Sequence, residues 1–171
     1  MTAPGTLTIR IDDHHLTFEV EGGTVHEVPV GPLTLTNGPL ADGDPPPPAS
    51  LTNALGLVHD HLDDLLIAAP SIGAVPAVIA VGPHATAMAR VEIGVADVPP
   101  DYELARSAAD EVFRTLAVEP VDERRHNPGL PLAHAESIIG TCCVILGIMR
   151  RFDLQAVDIA SSAADTSGTG G

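Results

Sequence analysis

One stretch constrains this chain more than any other: residues 127 to 154, NPGLPLAHAESIIGTCCVILGIMRRFDL. Pro128 and Pro131 punctuate a loop around Gly129, and a helix is expected to begin near Pro131 to His134 and run to Arg151. From Ile138 to Met149 the residues are apolar or small nearly all the way round, the pattern of a helix buried on most of its sides. That segment rises roughly 18 Å at about 1.5 Å per residue, too short to cross a bilayer. The burial has to come from the protein itself. Gly140, Thr141 and Gly147 weaken a helix, so their presence predicts a neighbouring element in close approach. Arg150 and Arg151 sit where positive charge complements a helix C-terminus. The rest of the fold is expected to pack around this helix.

The remaining sequence can supply that packing. A chain of 171 residues, 44% hydrophobic, makes one domain with a genuine core. Three Phe, one Tyr and no Trp make the core aliphatic, and they leave too few aromatic platforms for stacking single-stranded nucleic acid. Eight Arg, no Lys and a net charge of −15 repel polyanions at long range. No nucleic acid and no anionic membrane is expected as a partner. The opening MTAPGTLTIRIDD has neither a basic n-region nor an apolar h-region, and no apolar run reaches spanning length, so a cytosolic protein is expected. Adjacent Cys142 and Cys143 point about 100° apart on a helix, which predicts buried free thiols rather than a disulfide.

Taken in order, Leu7 to Ile11, Leu16 to Val20 and Val25 to Val30 read as three strands of an antiparallel meander. Gly31 to Gly43 reads as a polar loop, and Pro45 to Pro48 as a rigid polyproline stretch. A helix comes next, with Ser50 as its N-cap and Leu51, Leu55, Val58, Leu62, Leu65 and Leu66 on its inner face. Ala77 to Val81 (AVIAV) reads as a fully buried strand and Ala85 to Val91 as a short helix. Tyr102 to Leu116 reads as an amphipathic helix, Glu119 to Arg125 as a short one, and Ala156 to Ala160 as a last strand. The Ser-, Thr- and Gly-rich tail from Ser161 to Gly171 is expected to be disordered. The predicted order is βββαβααβ: an α/β, ribonuclease H-like lobe of the actin-like ATPase kind, spanning residues 1–160.

Pro128-Gly129-Leu130-Pro131, the Ala-acidic-apolar-Ile run after it, and the long apolar helix together resemble the last core helix of the exopolyphosphatase/guanosine pentaphosphate phosphohydrolase family. Arg124 matches the family's linker into that helix, and Asp44-Pro45-Pro46 its DPP before a helix. The resemblance extends over Leu7 to Ala160, clearest from Val121 to Arg151, and points to the second, C-terminal lobe. It implies two phosphate-holding turns. The family's D-x-G-G-G-S-x-E segment falls on Asp12 to Glu19, with Asp12, Thr17 and Glu19 in register and the three glycines replaced by His14, His15 and Leu16. Its second glycine turn falls on Val81 to Thr86, where Gly82 and Thr86 survive, Pro83 removes an N–H donor and His84 replaces a hydroxyl. Side chains at the glycine positions cannot let backbone N–H groups wrap a phosphate in the same way.

The family's first lobe supplies its other phosphate loop and the catalytic glutamate, and this chain corresponds to half of that cleft. The expectation is therefore a non-catalytic binding, regulatory or assembly module that needs no cofactor. Its expected partner is a second copy, a separate first lobe or an exopolyphosphatase-type protein. A partner-complemented phosphatase acting on polyphosphate or guanosine pentaphosphate is one alternative. Another is a divalent metal site, zinc for example, built from His14, His15 and His84 with nearby carboxylates. His59 and His61 are two apart and do not share a helix face, and His126 and His134 are expected on the surface.

Overall fold

The computed structural model describes residues 5–95 and 97–160. Short alternating segments build a six-stranded mixed sheet in the order β3-β2-β1-β4-β6-β5. β1 (Thr6–Ile11), β2 (Leu16–Val20) and β3 (Val25–Val28) form the expected antiparallel meander. β4 (Ala77–Val81) lies parallel to β1 and to β6 (Ala156–Ala160). Between the strands run α1 (Pro32–Thr36), α2 (Pro48–Ala68), α3 (Pro83–Ile93), α4 (Arg106–Ala117), α5 (Val121–Arg124) and α6 (Ile138–Arg151). Among the described residues no helix is long and apolar enough to cross a membrane.

The helices gather on one face of the sheet, around α6. Every residue from Ile138 to Met149 is buried, which is why so few polar residues occur there. Leu7, Ile9, Ile11, Leu16 and Phe18 point to the same side, as do Val78, Ala80, Val157 and Ile159, all buried. The alternate positions Thr8, Arg10, Thr17, Glu19, Ile79, Val81 and Asp158 share the opposite face and are half-buried or exposed. AVIAV is therefore not a fully buried strand: Val78 and Ala80 are covered and Ala77 is exposed. Its apolar outward residues answer to the uncovered face rather than to a second helical layer.

Three other elements differ from expectation. Tyr102–Ala105 is not the first turn of a helix but an edge strand, β5, paired antiparallel with β6. Asp101 just before it adopts a φ of 62°, which sends the chain back alongside β6. The expected loop at 31–43 holds α1 and a 3₁₀ turn at Pro39–Asp42, each with proline at the start, where its fixed φ suits a helix and its missing N–H costs nothing. The same preference starts α2 at Pro48, so Ser50 is not the cap. It is buried, with its hydroxyl 3.5 Å from Asp42. The inner face of α2 is correspondingly rotated to Ser50, Ala54, Val58, Leu62 and Leu65. α6 begins at Ile138, with a separate 3₁₀ turn at Leu132–His134 before it. The expected disordered tail lies outside the described residues.

The two helix glycines of α6 mark contacts of different kinds. A Cβ at Gly140 would stand 2.3 Å from the Pro32 carbonyl oxygen of α1, and one at Gly147 would stand 2.5 Å from a Val58 methyl of α2. Thr141 between them faces His84 instead. At the far end, Arg151 holds Asp63 of α2 at 2.5 Å and Arg150 holds Asp110 of α4 at 3.0 Å. Each substitution, Gly140→Ala or Gly147→Ala, is expected to cost about 1–3 kcal/mol, the usual range for overpacking. Adding Val58→Ala should recover part of the Gly147→Ala loss and none of the Gly140→Ala loss, because only the first collision is with a side chain. Urea unfolding of these four variants and of Val58→Ala alone reads this coupling.

Candidate functional site

The turn joining β1 to β2 is closed by the Asp12 N–H bonded to the His15 carbonyl at 3.0 Å. None of Asp12 to Leu16 takes a positive φ, so the turn has no need of glycine and accepts two histidines. It is braced from outside by the start of α1. Leu33 N–H donates to the Asp13 carbonyl at 2.8 Å, and the Thr34 hydroxyl to the His14 carbonyl at 3.2 Å. A Cβ on Gly31 would lie 2.6 Å from the carbonyl oxygens of Asp12 and Asp13, so this position admits no side chain.

The second turn enters α3 through Gly82, whose φ of 110° lies where glycine alone is comfortable. Its backbone passes close to Ile11, the last residue of β1, with a Cβ falling 2.9 Å from the Ile11 carbonyl. That approach brings the two turns together. They share one cavity of about 430 Å³, walled by Ile11, Asp12, Asp13, His14, His15, Pro83, His84 and His134.

Within it, His84 is almost fully buried, and its Nε2 lies 2.7 Å from the exposed Asp13 carboxylate. An ionised carboxylate only accepts, which places the ring proton on Nε2 and turns Nδ1 toward the Thr141 hydroxyl, 3.4 Å away on α6. The His134 ring meets His84 edge-on, with centroids 4.9 Å apart. The bond from His84 holds the Asp13 carboxyl below its ordinary range. Burial, then the neighbouring His84, push the His134 ring below its ordinary value.

The residues expected at the site divide. Asp12, His14, His15 and His84 line this cavity. Thr17 and Glu19 do not, because they alternate onto the uncovered face of β2, opposite Arg10 and Thr8. Leu16 is the fully buried first residue of β2. Gly82 shapes the second turn, whereas Thr86 is buried one turn into α3 with its hydroxyl bonded to the Gly82 carbonyl at 3.1 Å.

The three histidines named for a metal share this cavity. Among the described residues no three His, Cys, Asp or Glu side chains form a group that could hold an ion. His84 Nε2 is committed to Asp13, and His15 lies 3.4 Å from Asp12 and 4.0 Å from Glu27. His134, expected on the surface, is half-buried against His84. The PGLP loop just before it was the signal, since a loop pinned between two prolines fixes the course of the residues beyond it.

No family model matches the sequence, nor does any curated protein. Solved structures do match. An exopolyphosphatase-like protein superposes with a TM-score of 0.80 at 16% identity, over 92% of this chain and 56% of its own length. The type II variant of the Ppx/GppA phosphatase of Aquifex aeolicus gives 0.79 at 16% identity, over 94% of this chain and 54% of that protein. An exopolyphosphatase from Cytophaga hutchinsonii gives 0.73 at 14%, over 94% and 54%. The fold is that of one actin-like lobe. This chain spans little more than half the length of these proteins, and identity at this level establishes the fold alone.

Both depressed groups disfavour acid. Below about pH 6.5, the ordinary histidine value, the unfolded chain takes up a proton that folded His134 resists, so stability falls. The contribution of Asp13 is present above the ordinary carboxylate range and is lost as pH drops through its lowered value. In His134→Phe, which keeps an aromatic edge against His84, the loss of stability between pH 7 and 5 should be shallower by chemical denaturation. In His84→Ala the Asp13 carboxyl should return upward toward its ordinary range, as read by NMR titration.

Proposed function

We propose that this lobe corresponds to the second, C-terminal lobe of an exopolyphosphatase-type scaffold and works as a cytosolic, non-catalytic binding and assembly module. The observation that carries this reading is the Asp13–His84 pair across the two turns. A phosphate-wrapping turn presents converging backbone N–H groups. Here the first turn presents the Asp13 carboxylate, and the second begins with Pro83, which has no N–H to offer. Phosphoryl-transfer catalysis depends on positioning and on neutralising phosphate charge. Asp12 and Asp13, in a chain of net charge −15, work against both.

The assembly half of the proposal draws on the uncovered sheet face, where Ile79 and Val81 place apolar area in the middle of the sheet. A surface of this kind gains free energy by meeting a partner. The partner is a second copy of this chain or a separate lobe of exopolyphosphatase type. The open cleft of about 430 Å³ where the two turns meet favours one second reading, a phosphatase completed by such a partner lobe.

Phosphate release from polyphosphate and from guanosine pentaphosphate, assayed with magnesium, is expected to stay at the buffer rate for this chain alone. Turnover that falls in Asp13→Ala would overturn the non-catalytic reading. Light scattering should show a dimer, or a complex when an exopolyphosphatase is added, and Ile79→Lys should lower that mass. A monomer indifferent to the added protein contradicts the assembly role. Release that appears only in the mixture selects the completed phosphatase.

A further inference from the structure

A second cavity, of about 410 Å³, lies between α1, the Pro39–Asp42 turn, α5 and the start of α6. Leu40, Val121 and Ile139 contribute apolar wall, and three charged side chains reach it: Arg124, Asp44 and Glu136. Arg124 is the unusual member, being only 4% exposed. Its Nε donates to the Ala135 carbonyl at 3.0 Å and its Nη1 to the Glu119 carbonyl at 2.7 Å. Asp44 Oδ1 stands 3.8 Å from Nη1 and accepts the Val121 N–H at 2.8 Å. No hydrogen bond or ion pair joins Nη2 to any described residue.

A guanidinium carries five N–H donors in a rigid fork, and the one nitrogen of Arg124 without a partner in the fold is open to the cavity. The two backbone carbonyls aim this fork before any ligand arrives, so Nη2 is a pre-set donor to an acceptor in the cavity. Charge restricts what that acceptor belongs to. Asp44 and Glu136 already balance Arg124 and the neighbouring Arg125, and the whole chain carries −15, so a bare anion is repelled at long range. A zwitterion is not. Its carboxylate meets Arg124, its ammonium meets Glu136 and Asp44, and it brings no net charge. Glu136 is free to respond, being 73% exposed with Arg125 no nearer than 3.8 Å. The apolar wall leaves room for an aliphatic side chain, and the volume falls in the usual range for small-ligand sites.

We propose that this cavity binds a free aliphatic α-amino acid. It is separate from the turn site and does not rest on the function proposed above. Calorimetric titration with L-leucine tests it. Saturable binding is expected, weakened at least tenfold when the probe is leucinol, which lacks the carboxylate, or 4-methylpentanoate, which lacks the ammonium. Glu136→Gln should weaken leucine at least tenfold. Ala41→Trp, which fills the exposed rim of the cavity and leaves the bonds of Arg124 in place, should abolish binding while circular dichroism stays unchanged. No saturable heat up to roughly 10 mM leucine, binding that survives Ala41→Trp, or inorganic phosphate binding more tightly than leucine would each overturn the proposal.

Discussion

The complete burial of α6 is the constraint on which the rest of this lobe depends. A helix apolar on every side gains stability only if sheet, α1, α2, α3 and α4 all reach it. Two of them do so at the positions where α6 has the least side chain: Gly140 under α1 and Gly147 under α2. Charge closes the arrangement at its C-terminal end, where Arg150 and Arg151 tie α4 and α2 to the same axis. Those pairs are half-exposed, so they orient the helices more than they stabilise them. Burial of apolar area around α6 contributes more.

The same helix positions the candidate site. Thr141 on α6 stands behind His84, the 3₁₀ turn ahead of α6 places His134 against the same ring, and Pro32 above Gly140 opens α1, which braces the Asp12–His15 turn. What in a phosphate-binding lobe would be two flexible glycine turns is here a pair of turns tied by a hydrogen bond between a buried histidine and an exposed carboxylate. The energetic consequence is order without a ligand. The chemical consequence is a cleft whose mouth is negative.

Much of the site was legible from the residues, in a specific sense. Replacement of glycines by His14, His15 and Pro83, and of a hydroxyl by His84, announced that backbone N–H groups would not converge, and the structure brings these residues to one cavity. The residues aligned simply by register fared differently. Thr17 and Glu19 went to the far face because strand side chains alternate, and Thr86 went into the packed interior of α3. The buried Arg124 stood out only as a match to a linker. Its carbonyl partners at Glu119 and Ala135 belong to irregular segments whose course no periodicity reports.

The sequence by itself determined the buried central helix, the aliphatic core, the opening meander and the last strand, because each is written in residues a few positions apart. The tertiary structure alone decided that Tyr102–Ala105 would be a strand, since its extended form exists to pair with β6 some fifty residues later. It alone decided that one sheet face would stay uncovered among the described residues, since both crossovers return on the same side. The Asp13–His84 bond joins positions 71 residues apart. Local preferences reach across one turn of helix or one hairpin, and a bond of that span is chosen only when the packed core brings its two ends together.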